Sequence, residues 1–374
     1  MKYYLIAGEA SGDLHGSRLI KAIRKQDPQA SFRAWGGDLM EASGATLAKH
    51  YKSLAIMGLV DVIKNLNQIF KNISFCKKDI QEFQPDALIF IDFSGFNLRI
   101  APWAKKAGYC THYYIAPQVW ASRAKRVQKI KAYIDHLYVT LPFEPSFYKA
   151  HECPAHYVGH PLLEVIEDIP PLQPNVRSAM GLDTEKPIIA LLPGSRKQEI
   201  KAILPVMLSL SKSFPDYEFV LAAAPGMASE FYDNYLGSAP IKRVHNNTYA
   251  LLQSASVALV ASGTATLETA LLGVPQIVCY KTQWLTYWVA KQIIKLPYIS
   301  LVNLILDAPG VPELIQSDLN LNQLEQLLPG LVSGPQRATQ LKNYELLKQR
   351  IGPAGAANKA AKLIVTHSLD KTSE

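Results

Sequence analysis

Short apolar runs alternate with longer stretches of helical spacing along most of the chain. YYLIAG (3–8), ALIFIDF (87–93), THYYIA (111–116) and HLYVTLPF (136–143) are compact and rich in β-branched and aromatic residues. Bounded by turn residues, such runs read as buried strands, and the intervening stretches are long enough for crossover helices. Strands alternating with helices give a parallel sheet covered on both faces. The rhythm pauses at YVGHPLLEVIEDIPPLQPN (157–175), where Pro170, Pro171 and Pro174 mark a linker. It resumes in PIIALLPG (187–194), YEFVLAAA (217–224), SVALVAS (256–262) and PQIVCY (275–280). The pattern predicts an α/β protein of two doubly wound, Rossmann-like domains, 1–165 and 166–340. Residues 341–374 then form a helical segment that crosses back to the first domain or onto a partner chain, leaving a homodimer open.

Two apolar stretches break this pattern. WLTYWVAKQIIKLPYISLVNLIL (284–306) is too interrupted by Lys291, Lys295 and Pro297 to span a bilayer. It either packs inside a domain or lies on a membrane with its lysines toward headgroups. LAIMGLVDVIKNLNQIFKNISF (54–75) has helical spacing with Lys64 and Lys71 interleaved, and carries the same two readings.

Composition narrows the class. With 374 residues, 48% hydrophobic content and mean hydropathy near zero, the chain is globular and large enough for two cores. Four dispersed cysteines without a CxxC pair argue against a disulfide framework or zinc site and fit a reducing compartment. The first apolar run stops at Gly8-Glu9, before a secretory core could form, so the expected location is cytoplasmic. The formal charge is +8, and residues 1–165 hold 21 Lys and Arg against 14 Asp and Glu. The first half should therefore meet an anionic partner, either nucleic acid or a membrane surface.

The opening stretch YYLIAGEASGDLHGSRLI (3–20) is built like a phosphate-binding strand–turn–helix, yet its loop holds Glu9 and Asp13. The second half has the better anion loop. LLPGSRKQEI (191–200) places Gly194, Ser195 and Arg196 between strand and helix, where the guanidinium and the helix-start amides suit phosphate oxygens. ALVASGTATLETALLGVPQIVCY (258–280) adds a second such turn at Ser262, Gly263 and Thr264. One helical turn on, Glu268 suits a ribose diol. With the loop at His245-Asn246-Asn247, these make a nucleoside-diphosphate site. No spaced Asp-x-Asp and no His/Cys cluster is present, so neither metal nor cofactor is implied.

This combination resembles the GT-B glycosyltransferases, two Rossmann-like domains facing each other across a cleft. More closely, AGEASGD (7–13), MGLVDV (57–62), YYIAPQVWASRAKR (113–126), LPFE (141–144), LLPGSR (191–196), ASGTATLE (261–268) and YISLVNLI (298–305) resemble, in order, the bacterial lipid-A-disaccharide synthases. GPAGAA (352–357) extends the likeness towards the C-terminus. The second half alone would also fit a UDP-N-acetylglucosamine 2-epimerase or a peptidoglycan glycosyltransferase, but AGEASGD and APQVWASRAKR argue against both. A basic nucleic-acid-binding protein would not account for the nucleotide loops.

The resemblance implies an inverting hexosyltransferase of lipid A and lipopolysaccharide biosynthesis. Its donor is UDP-2,3-diacylglucosamine, its acceptor 2,3-diacylglucosamine 1-phosphate, and its products a β-1,6-linked disaccharide 1-phosphate and UDP. Acylated substrates imply a peripheral protein on the cytoplasmic face of the inner membrane. The first domain then takes the acceptor and supplies a general base from Asp92, Glu9 or Asp13, with His112 close behind. Arg196 balances the charge of the departing UDP. Gln118, Trp120 and Arg123 either shape the acceptor site or begin a solvated helix, and Asn303 resembles a family position near the donor phosphates. One block departs from the family's usual Ile-Asp-x-Pro-Asp-Phe-Asn. Here IDFSGFN (91–97) has Ser94 and Gly95 at the Pro and second Asp positions, so Gly95 cannot be the base.

Overall fold

The structure, a computed structural model, describes all residues except 55–65, 123, 184, 237–240, 285–286, 289–291, 293–295 and 373–374. The chain divides into two compact units, Met1–Pro161 with Ala354–Glu374, and Leu162–Pro353. The junction expected at residue 165 thus falls just after Pro161.

In the first unit, β1 (Lys2–Ile6), β2 (Ser31–Gly36), β3 (Ala45–His50), β4 (Ala87–Ile91), β5 (Cys110–Tyr114), β6 (His136–Val139) and β7 (His156–Tyr157) form a parallel sheet in the order β3-β2-β1-β4-β5-β6-β7. All five residues of β4 and of β5 are buried, as expected of strands covered on both faces. The helices used below are α1 (Ala10–Gln26), α2 (Asp38–Ala42), α3 (Leu66–Phe83), α4 (Ser94–Lys106) and α5 (Glu144–Ala150). Strand order reverses between β1 and β4, and the loops leaving their carboxyl ends are where such sheets take ligands.

The second unit repeats the plan. β8 (Ile188–Leu192), β9 (Glu218–Ala223), β10 (Lys242–His245), β11 (Ala255–Ala261), β12 (Gln276–Tyr280) and β13 (Glu313–Ile315) are ordered β10-β9-β8-β11-β12-β13. Its relevant helices are α6 (Lys197–Ser209), α7 (Thr248–Ser254), α8 (Thr264–Leu271), α9 (Leu301–Leu306) and α10 (Pro335–Ile351). The reversal lies between β8 and β11, the strands that precede the PGSR and SGT turns.

The terminal segment expected from residue 341 divides at Gly352. α10 belongs to the second unit, where Gln340 and Tyr344 hydrogen-bond with Gln276. Gly352 then takes a left-handed φ of 77°, which ends the helix without a Cβ clash. The last helix, α11 (Ala356–Thr372), packs on the first unit, where Ala357, Ala360, Ala361 and Ile364 share a core with Leu19, Ile20 and Ile23 of α1. Among the described residues, no helix is long and apolar enough to cross a membrane. Half of the 54–75 stretch, residues 55–65 with MGLVDV and Lys64, lies outside them.

Candidate functional site

The glycines of AGEASGD serve close packing of helix on strand. A Cβ on Gly8 would lie 2.4 Å from the ring of Phe93, and one on Gly12 would lie 2.9 Å from Ala7 Cβ. Asp13 is buried, and its carboxylate accepts hydrogen bonds from the backbone N–H groups of Gly37 (2.8 Å), Met40 (3.0 Å) and Leu39 (3.1 Å). These are amides at the start of α2, which have no partner within their own helix. Asp13 is therefore a helix cap supplied from α1. This corrects its candidacy as the base, because both of its oxygens are already engaged away from solvent.

Glu9 and Asp92 remain, and the sheet brings them together. β1 pairs directly with β4, with Ile6 in register with Phe90, so the two carboxylates leave neighbouring strand ends. Glu9 is exposed at the N-cap of α1, and its side chain caps no amide there. Asp92 is open to solvent but set in dense surroundings. Desolvation and the nearby Glu9 charge raise its carboxyl above the ordinary range, partly offset by the Phe93 N–H.

Both Asp92 and Phe93 are left-handed, with φ of 41° and 44°. Each such residue costs about 1–3 kcal/mol, so the surroundings must hold the turn. Asn97 and Tyr113 do so. The buried Asn97 Nδ2 donates to the carbonyls of Asp92 (2.8 Å), Ile6 and Ile91 (3.4 Å each), and the Tyr113 hydroxyl donates to the Asp92 carbonyl at 2.6 Å. Sequence reasoning missed both residues, although a polar Asn at the end of IDFSGFN was a signal. Gly95, in the first turn of α4, is exposed, and a Cβ there meets nothing within 4 Å.

The acceptor candidates separate. His112 is fully enclosed, corrected from the expected binding face to a core position under α11, where it hydrogen-bonds with Ser368 and Tyr138. Burial and the neighbouring His136 and His367 hold its pKa well below the ordinary value. Gln118 is exposed in the loop after β5. Trp120 is half-buried and donates from Nε1 to Glu144 Oε1 at 3.0 Å. Glu144, from the LPFE block, also accepts the amides of Leu141 (2.8 Å) and Thr140 (3.0 Å). Its burial nonetheless pushes its pKa up to about 7. Arg123 lies outside the described residues.

In the second unit, β8 and β11 are adjacent, so the PGSR and SGT turns emerge side by side. Gly194 is left-handed at φ 105°, and Arg196 is exposed as the N-cap of α6. Glu199, which the sequence reading passed over, accepts the Ser195 N–H at 3.2 Å, and a Cβ on Gly194 would lie 2.0 Å from its Oε2. Gly263 and Thr264 are exposed at the start of α8. Glu268 accepts a hydrogen bond from the Tyr249 hydroxyl of α7 at 3.0 Å, and burial raises its pKa.

Ser262 and Asn303 act as supports. The Ser262 hydroxyl donates to the Ile299 carbonyl at 2.8 Å, tying the SGT turn to the YIS loop. Asn303 is buried, where it donates to Val311 O and Glu313 Oε1 and accepts the Val311 N–H. Its amide group is thus fully engaged, which corrects the expectation that it meets donor phosphates. Among the described residues no group of three or more His, Cys, Asp or Glu is placed to hold a metal.

The sequence pattern of the family described as Lipid-A-disaccharide synthetase matches residues 3–365. The chain belongs to this family. A lipid-A-disaccharide synthase of Trichlorobacter lovleyi is 35% identical over 97% of this chain and 96% of its own length, and one of Coxiella burnetii is 36% identical over 96% of each. Family membership makes the protein a hexosyltransferase of lipid A biosynthesis. Solved structures agree on the fold. The S. aureus MnaA–UDP structure has a TM-score of 0.70 over 100% of this chain and 98% of its own, at 13% identity. The UDP-GlcNAc 2-epimerase of Neisseria meningitidis bound to UDP-GlcNAc has a TM-score of 0.68 over 99% of this chain and 100% of its own, also at 13% identity. At that identity these matches speak to the fold alone, two parallel-sheet domains of the GT-B type.

Proposed function

We propose that the protein transfers 2,3-diacylglucosamine from its UDP derivative to the 6-hydroxyl of 2,3-diacylglucosamine 1-phosphate, with inversion, giving the β-1,6 disaccharide 1-phosphate and UDP. The observation that carries the mechanism is the pairing of Glu9 and Asp92 on adjacent strand ends, with the Asp92 carboxyl raised by its surroundings. A carboxylate of raised pKa is a stronger base, and Asp92 takes the proton as the acceptor O6 attacks C1 of the donor. The C1–O bond breaks, and its electron pair leaves with the UDP β-phosphate.

The Arg196 guanidinium and the amides at Gly263 and Thr264 hold that diphosphate, while Glu199 fixes the Ser195 amide of the PGSR turn, so no acid need protonate it. Glu268, oriented by Tyr249, accepts from the ribose hydroxyls. The membrane-surface reading draws support from the charge excess of residues 1–165 and from α3. There Phe70 and Phe75 are 64% and 44% exposed beside the exposed Lys71 and Lys78.

Turnover of both lipid substrates in detergent micelles, followed by mass spectrometry, tests this reading. Glu9→Gln and Asp92→Asn are assayed separately, and Asp92→Asn should fall by about 100-fold or more. The open space at Gly95 adds a second arm, since Gly95→Asp restores the family's usual carboxylate without a clash. Partial rescue of Asp92→Asn by Gly95→Asp is the expected result. An Asp92→Asn enzyme with undiminished kcat would end its role as base.

A further inference from the structure

β12 and β13 leave the same edge of the second unit's sheet as β8 and β11, and the surface beyond them is apolar. A pocket of about 460 Å³ opens there between Lys281, Thr282, Trp284, Tyr287, Trp288 and Gln316. Trp284 is 75% exposed and Trp288 53%, so two large aromatic side chains stand in water next to a concavity. Exposed aromatic surface of this kind marks a binding site.

The pocket has a fixed floor. Gln316, left-handed at φ 55°, accepts the Thr282 N–H at 2.8 Å and donates from Nε2 to the Thr282 carbonyl at 3.3 Å. Its own N–H donates to the Tyr280 carbonyl at 2.8 Å. The pocket is also close to the nucleotide loops. Ala261 is in register with Cys279, and Cys279 with Leu314, so the exits of β12 and β13 lie about 5 and 10 Å along the sheet from the SGT turn. Tyr280 links the two regions. Burial raises its pKa first, then the charge of Glu199 and the hydroxyl of Tyr287 on the pocket wall, while Arg196 opposes them.

We infer that this pocket seats an acyl chain of the sugar-nucleotide donor whose diphosphate is held by the PGSR and SGT turns. The inference rests on the donor reading given above. A donor sugar held at that edge must place its acyl chains along it, and beyond β12 and β13 the surface is both apolar and concave. A flat bilayer meets convex surfaces, whereas a pocket of this size walled by two indoles and a phenol fits a single chain. Alkyl groups gain there by leaving water.

The test compares the full-length protein with a Trp284→Ser/Trp288→Ser variant. Equilibrium affinity is measured for UDP, UDP-N-acetylglucosamine and UDP-2,3-diacylglucosamine at one fixed detergent concentration. Both tryptophans are exposed, so the fold should persist, and circular dichroism checks it. The wild type should prefer the acylated donor over UDP-N-acetylglucosamine by about tenfold or more, and the variant should lose that preference while UDP affinity is unchanged. A variant that keeps the preference overturns the assignment and leaves the donor reading intact. So does a variant whose only defect is weaker binding to anionic vesicles, which would make the surface a bilayer contact. A wild type that binds no UDP overturns the donor reading and this assignment with it.

Discussion

Asp13 offers the sharpest separation between a structural and a catalytic carboxylate. Its two oxygens take three backbone N–H groups at 2.8–3.1 Å, inside the first unit. Hydrogen bonds to a charged partner contribute about 1.5–3 kcal/mol each, and a buried amide left without one costs about 1–3 kcal/mol. Leu39 is 46% exposed, so water can reach part of the α2 start and soften the loss. Asp13→Ala should therefore destabilise the protein by about 3 kcal/mol, a melting shift of roughly 6–12 °C for a domain of this size. Asp13→Asn keeps one acceptor oxygen and should cost about 2 kcal/mol, near the loss of one cap. Thermal unfolding followed by circular dichroism reads the stability, and initial rates per folded molecule at 20 °C read the chemistry. The capping account predicts a lower melting temperature with kcat within a few-fold of wild type. An Asp13→Asn protein that melts like the wild type but has lost kcat by 1,000-fold would refute it and restore Asp13 as the base.

Other consequences follow from the same geometry. Arg196→Ala should weaken UDP binding by about 10- to 100-fold, the loss of one or two charge-assisted hydrogen bonds, without changing the melting temperature. Calorimetric titration with UDP checks this, and unchanged affinity would remove Arg196 from the donor site. Glu144 is buried with a pKa raised to about 7, so its protonated form favours the fold. That contribution is complete below its unfolded pKa near 4.5 and is lost, up to about 3 kcal/mol, as pH rises through 7. Glu144→Gln should flatten the stability profile over that window, and parallel profiles would contradict it.

The imidazoles under α11 have the opposite sign. His136 and His367 stack with ring centroids 4.1 Å apart, His156 lies 5.4 Å from His367, and His112 lies 5.0 Å from His136. Burial lowers the pKa of His136 to about 4, with His367 and His156 adding to the effect and Asp135 opposing it. The neutral rings thus stabilise the fold above pH 6.5, and this is lost as pH falls towards 4. Hydrogen exchange in 356–372 should rise over that interval and rise less in His367→Phe. Equal exchange at pH 7 and pH 5 would show that the stack does not hold the helix.

The alternating pattern determined the parallel α/β plan because strands buried on both faces must be continuously apolar, and β4 and β8 carry that signature in five residues each. The PGSR and SGT turns were legible for a related reason, since a small-residue turn between a buried strand and a helix follows from local sequence. Glu9 and Asp92 were visible as strand-end carboxylates, but only strand order decided that they are neighbours. Sequence separation gives no information about which ladders pair. Asp13, His112 and Asn303 look like chemistry in one dimension, yet each is enclosed by groups outside its own element: the α2 amides, α11, and Val311 with Glu313. Asn97, Tyr113 and Glu144 went unnoticed because their task is to satisfy particular backbone and side-chain groups that only the folded chain brings within reach. A sequence fixes which groups a chain has to offer. Tertiary structure decides which of them are already hydrogen-bonded, and a polar group held that way is no longer available to a substrate.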